Sequence, residues 1–124
     1  MQKKLKIGWV GSGFVGQVAH LVNYADLENV EIVGLAELRP KLGKLVVEKF
    51  GIPKYYTDHK ALIENCDADA IVSIVRREHT ASVAYDILQQ GFSLFTEKPM
   101  APTYEQAKKL VDLANDKHCV YVTG

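Results

Sequence analysis

Sulfur, net charge and long apolar runs are all scarce in this chain of 124 residues. Its two cysteines, Cys66 and Cys119, stand alone without metal-type spacing, which points to small buried or half-buried thiols in a reducing cytoplasm and to no bound metal. Lysine and arginine number 15, as do aspartate and glutamate. No basic surface therefore invites DNA, RNA or an anionic membrane, and any partner must be recognised locally. Behind Met1, Lys3, Lys4 and Lys6 the apolar stretch has strand length and is interrupted by glycine, too short for a signal-peptide core. No segment reaches membrane-spanning length. His20, His59 and His118 are scattered and suggest neither a metal cluster nor an activated nucleophile. With no repeats, low-complexity tracts or linkers, the chain reads as one domain, able to bury about two thirds of its unfolded surface.

What is present starts with Lys6-Ile7-Gly8-Trp9-Val10-Gly11-Ser12-Gly13-Phe14-Val15-Gly16, a GxGxxG pattern directly behind an apolar strand and ahead of a helical pattern. Such glycines have separable duties: Gly11 for a tight turn, Gly13 for close approach of a pyrophosphate, Gly16 for packing of the new helix on the strand. Free N–H groups in that helix's first turn would face the phosphates, where the peptide dipoles favour negative charge. An acidic residue, Glu37, follows roughly 20 residues later at a strand end, where it would accept hydrogen bonds from the adenosine ribose. The plain alternative is a solvated acid.

Short apolar runs alternate with helical periodicity along the chain, the signature of parallel strands joined by crossover helices. The expected class is α/β: a doubly wound, mainly parallel Rossmann sheet of about six strands with helices on both faces. Strands are expected at Leu5 to Val10, Val30 to Ala36, Lys54 to Thr57, Ala70 to Val75, Phe92 to Thr96 and Cys119 to Thr123. The first helix should bury Val15, Val18, Ala19, Val22 and Ala25. Pro40 should open a second with Leu42, Leu45, Val46 and Phe50 inward. Asp58 caps a brief third helix to Asn65, a fourth runs from about Thr80 to a stop at Gly91, and Thr103 with Gln106 makes a capping box for a fifth that buries Ala107, Leu110, Val111 and Ala114. Trp9, Tyr55, Tyr56, Tyr85, Tyr104 and Tyr121 read as packing residues.

In an open parallel sheet the loops leaving the strands' carboxyl ends share one crevice, and ligands bind there. Four groups converge on it: the glycine loop, Glu37, the pair Arg76 and Arg77, and Glu97 with Lys98. The two arginines could grip a pyrophosphate or a substrate carboxylate, or be neutralised by Glu78 and solvent. Lys98, with Pro99 shaping the turn, is a cation at the cofactor edge, or one half of a surface ion pair with Glu97. His79 is a proton shuttle or a capping residue.

These residues resemble the N-terminal NAD(P)-binding domain of the Gfo/Idh/MocA oxidoreductases, the glucose–fructose oxidoreductase, inositol dehydrogenase and rhizopine-catabolism family. The likeness covers essentially the whole chain. It rests on the glycine loop Gly11 to Gly16, Gly34-Leu35-Ala36-Glu37, Phe50-Gly51-Ile52 with Tyr56 and Asp58, the segment Asp67 to Val75, and above all Glu97-Lys98-Pro99-Met100-Ala101, similar to the family's EKP signature. The resemblance implies NAD as cofactor ahead of NADP, held by Gly11, Ser12, Gly13, Phe14, Val15, Gly16, Glu37, Arg39, Val75, Arg76, Glu97 and Lys98. It also implies that Lys98 is catalytic, lying at the nicotinamide and orienting the reacting oxygen. Hydride would pass between the cofactor and a secondary alcohol or carbonyl of a sugar- or cyclitol-like substrate.

Two stretches depart from the family pattern. Val75-Arg76-Arg77-Glu78-His79-Thr80 replaces the usual Thr-Pro step, putting Thr80 at the family's histidine position. Leu42 replaces an arginine beside the adenine, with Arg39 as the substitute. Residues 1–124 would be the dinucleotide-binding domain, inactive alone, with the family's C-terminal substrate domain absent from this chain. A homo-oligomer is left open, and the alternative function is a non-catalytic dinucleotide-binding or sensor module.

Overall fold

The computed structural model describes residues 3–124. Its strands are β1 (Leu5–Val10), β2 (Val30–Ala36), β3 (Tyr55–Tyr56), β4 (Ala70–Ser73), β5 (Ser93–Thr96) and β6 (Tyr121–Thr123). They form one sheet in the order β3-β2-β1-β4-β5-β6, every pairing parallel. The order reverses between β1 and β4, so the crevice at their carboxyl ends is the topological switch point. The helices are α1 (a π-wound stretch, Gly16–Leu21, continued by Val22–Ala25), α2 (Pro40–Phe50), α3 (His59–Asn65), α4 (Arg77–Gln89) and α5 (Tyr104–Asp116). This is the doubly wound α/β sheet that the alternating pattern predicts.

Each face of the sheet has its own core. Leu21 of α1 and Val46 of α2 pack with Ile7, Trp9, Ile32, Leu35, Val72 and Ile74 on one side. On the other, Leu62 of α3, Val83, Ala84, Ile87 and Leu88 of α4 and Leu110 and Ala114 of α5 cover Val10, Ala36, Ile71 and Leu94. Trp9 is completely buried, with its ring edge-on to Tyr24. His59 of α3 meets Asp86 of α4 at 2.7 Å, tying two helices of the second face together. Local signals fix the helix ends. Asp58 and Thr103 accept from the Ala61 and Gln106 N–H groups at 2.8 and 3.2 Å, while Gly51 and Gly91 take positive φ where α2 and α4 stop.

The structure corrects several expectations. Val15, Val18, Ala19, Val22 and Ala25 all lie exposed; the inward residues of α1 are Gly16 and Leu21. The expected stripe assumes α winding, whereas i→i+5 bonding turns a different set of residues toward the sheet. In α2, Leu45 is exposed and Gly43 and Val46 face inward, and in α5 Val111 is exposed while Leu113 is half-buried. Helix α4 begins at Arg77 instead of Thr80, because β4 ends at Ser73 and Arg76, still extended, serves as the residue before the helix. Strands β3 and β6 are also shorter than expected. Tyr85 and Tyr104 are solvent-exposed, so neither packs in a core.

Candidate functional site

The glycine loop is built by backbone contacts that leave no room for side chains. Gly11 has φ of +91°, and a Cβ there would run into the Ile74 carbonyl oxygen. Its N–H donates to the Ala36 carbonyl at 2.9 Å and its own carbonyl accepts from the Trp9 indole at 3.0 Å, locking the turn to β2 and to the core. A Cβ on Gly16 would stand 2.8 Å from the Gly11 oxygen, so only glycine lets the helix start this close to the loop. Gly13 differs: a Cβ there would meet only Arg39 Nη2, at 3.7 Å. Apart from that flexible side-chain end, nothing lies within 4 Å of the position. The first bond closing the helix runs from Gln17 N–H to the Gly13 carbonyl at 3.0 Å, so the N–H groups of Phe14, Val15 and Gly16 have no partner within the helix. A glycine cradle with only that side-chain end near it and unpaired donors beneath suits the phosphates of a dinucleotide.

Glu37 lies at the carboxyl end of β2, almost entirely buried against this loop. Its Oε1 accepts from the Ser12 N–H at 3.0 Å, the Ser12 hydroxyl at 2.9 Å and Arg39 Nη2 at 3.1 Å. Its Oε2 accepts from the Arg39 N–H and Nε, both at 3.0 Å. Burial alone would raise the carboxyl pKa, but the bonds from Arg39 and Ser12 outweigh it and hold the value down to about 2. Glu37 is thus an ionised buttress of the glycine loop. The Arg39 guanidinium, more than half exposed, spans from that carboxylate to the surface over Gly13. Tyr55 completes the corner, its hydroxyl donating to the Glu37 carbonyl at 2.8 Å.

The β4 edge abuts the same loop: Val75 Cγ1 would lie 3.1 Å from a Cβ on Gly11. Arg76, Arg77, Glu78 and His79 are exposed, Thr80 is buried, and among the described residues neither arginine forms an ion pair with Glu78. At the end of β5, Glu97 Oε1 meets His20 Nε2 of α1 at 2.8 Å. Lys98 is exposed, has no ion-pair partner among the described residues, and is joined to Pro99 by a cis peptide bond. The alternative for Lys98, a surface ion pair with Glu97, is therefore not formed among the described residues. All four groups read from the sequence follow strand ends on one edge of the sheet; Glu37 and Val75 abut the glycine loop, and Glu97 meets helix α1 through His20.

Sequence reasoning missed the Ser12–Glu37–Arg39 network and the His20–Glu97 contact. The first could have been suspected from Glu37 and Arg39 lying two residues apart. The second joins residues 77 apart, through a helix whose winding gives no local signal. Among the described residues no group of three or more His, Cys, Asp or Glu could hold a metal ion, and no helix is long and apolar enough to cross a membrane.

A family model described as an oxidoreductase family with an NAD-binding Rossmann fold matches residues 5–124. The levoglucosan dehydrogenase of Pseudarthrobacter phenanthrenivorans is 29% identical over 132 aligned residues, which span 98% of this chain and 33% of that protein. The inositol 2-dehydrogenase/D-chiro-inositol 3-dehydrogenase of Lacticaseibacillus casei is 32% identical over 111, spanning 87% of this chain and 32% of the relative. In fold, the chain matches the WlbA dehydrogenase of Chromobacterium violaceum, crystallised with NADH and UDP-GlcNAcA. That match has a TM-score of 0.89 and 22% identity over 99% of this chain and 35% of that one. This chain thus spans about a third of the length of the curated relatives it matches. With the glycine loop, the switch-point crevice and the match over residues 5–124 in agreement, the chain belongs to the Gfo/Idh/MocA oxidoreductase family and comprises its NAD-binding Rossmann domain.

Proposed function

We propose that this chain is the cofactor-binding part of a longer dehydrogenase that moves hydride between a nicotinamide cofactor and a secondary alcohol or carbonyl carbon of a sugar- or cyclitol-like substrate. One observation carries the reading: a glycine cradle with unpaired donors and an exposed, unpaired lysine open on the same sheet edge. Relatives named for levoglucosan, inositol and glucoside substrates support the substrate class, and their threefold greater length supports a further domain for the substrate. NAD is the cofactor favoured, because the acid at the end of β2 opposes a 2′-phosphate. Bound there, the cofactor would supply the hydride chemistry.

The chain's own residues bind and orient. Phe14, Val15 and Gly16 N–H groups would take the phosphates over Gly13, with Gly11, Ser12 and Val75 shaping the floor. Glu37 and Arg39 would meet the adenosine ribose, and Arg76 would close the β4 side. Lys98 would hold the substrate oxygen by a charge-assisted hydrogen bond, while a base outside this chain takes the proton. The test is Lys98→Met in an enzyme containing this domain, assayed against a panel of sugars and inositols. NADH affinity should be kept and kcat should fall by about 100-fold, the scale of losing one positioned acid–base or polarising group. An undiminished kcat would remove Lys98 from the reaction.

A further inference from the structure

The role given above to Lys98 requires a free ammonium, yet the residue before it is a glutamate. A neighbouring carboxylate left free in solvent is available to the ammonium as a weak, exposed ion-pair partner. Among the described residues the two form no ion pair, and the Glu97 carboxylate is held elsewhere: Oε1 takes His20 Nε2 at 2.8 Å. His20 is well placed to keep it. The ring is mostly buried and stands edge-on to Phe95, with centroids 5.6 Å apart, so two contacts at the end of β5 fix its position. On another side a Cβ at Gly124 would stand 3.0 Å from the same Oε1, and the Gly124 N–H donates to the Thr96 carbonyl at 2.8 Å. Gly124, the residue after β6, thus lies against the carboxylate that His20 holds.

The reach of His20 depends on the winding of α1. The π-wound stretch Gly16–Leu21 buries Gly16 and Leu21 and carries His20 beside Leu21, toward β5. Inserted π turns are a recurrent way of re-aiming a side chain at a functional site. The helix that begins at the glycine cradle therefore also reaches the loop bearing Lys98.

We propose that His20 is a positioning residue for Lys98: by holding the Glu97 carboxylate, it denies Lys98 the counter-ion next to it in the chain and leaves the ammonium free for the substrate oxygen. This rests on the reading of Lys98 given above, but its test does not use turnover. In the 124-residue chain, carbon-13-labelled lysine followed by NMR reports the titration of Lys98, assigned by the loss of its signal in Lys98→Arg. His20→Ala should free Glu97 to pair with Lys98 and raise the Lys98 midpoint by roughly half a pH unit, the scale of an exposed ion pair. Adding Glu97→Gln to that variant should cancel the rise. His20→Gln, which can still donate to the carboxylate, should restore the original midpoint. His20→Phe keeps a ring against Phe95 without the donor and should reproduce the His20→Ala result even if the alanine variant folds poorly. A Lys98 midpoint unmoved in folded His20→Phe, or a rise that survives Glu97→Gln, overturns the proposal. The kcat of Lys98→Met is a separate measurement, so the catalytic reading and the positioning proposal can fail independently.

Discussion

At the residue scale Glu37 carries two duties that pull on the same oxygens. It buttresses the glycine loop through Ser12 and Arg39, and in the proposed function it faces the adenosine ribose. Its buttressing depends on ionisation. The folded carboxyl is held at about 2 against an ordinary value near 4.5, so its stabilisation is complete above about pH 4.5 and is lost as the pH falls toward 2. Urea unfolding at pH 7 and pH 3 should show a loss of stability that shrinks in Glu37→Gln. The variant itself should be less stable at pH 7 by about 1–3 kcal/mol, the cost of weakened bonds to a buried charged group. Cofactor choice follows from the same pair. A 2′-phosphate about 5 Å from Glu37 would meet roughly 3 kcal/mol of repulsion per charge pair at an effective dielectric of about 20. Arg39 offsets part of that, and half of it leaves about a tenfold preference for NADH over NADPH. Arg39→Ala should widen the preference, by uncovering the negative charge and freeing acceptors for ribose hydroxyls. Paired titrations decide this, and a swing toward NADPH in the variant would contradict it.

At the element scale the glycine loop and α1 form one unit, whose backbone is the binding surface in the proposed function. A Cβ on Gly13 would meet only the flexible end of Arg39, so a side chain there would cost the fold little while standing where the proposed phosphates approach. Gly13→Val should retain native circular dichroism and lose NADH binding by fluorescence titration; equal affinity for variant and parent would put the phosphates elsewhere. Helix α1 also shows how an element can be located correctly and oriented wrongly. Its existence follows from the glycine motif and the apolar residues after it, but the valines at 15, 18 and 22 face solvent, because the π-wound turn Gly16–Leu21 between them breaks the α periodicity on which the expected stripe rests. In α2, by contrast, Pro40 at the start and Gly51 at the end frame the helix as expected, with Leu45 alone misassigned to the inner stripe.

At the scale of the whole molecule, the two cores hold the sheet as a platform and leave its carboxyl edge open. In the proposed function that edge supplies one wall of a reaction space, with the glycine cradle and Lys98 on the same edge. A substrate carbon must also be held against the nicotinamide with its oxygen near a proton acceptor, and productive orientation is worth several orders of magnitude in rate. The 124-residue chain should therefore bind NADH and show no measurable dehydrogenase turnover with sugars or inositols. Robust turnover by this chain alone would mean that the chemistry is complete within it.

The sequence by itself determined what depends on near neighbours along the chain. The glycine spacing, the alternation of apolar runs with helices, the caps at Asp58 and Thr103 and the stops at Gly51 and Gly91 each act over a few residues, and together they specify a parallel doubly wound sheet and the edge where ligands bind. Only the tertiary structure decided which polar groups meet across that edge. Glu37 is taken up by Ser12 and Arg39, and Glu97 turns to His20 instead of Lys98. Those choices depend on the winding of α1 and on distances between strands far apart in the chain, which periodicity cannot encode, and on burial, which makes a carboxylate bond to whatever donors the fold brings within reach.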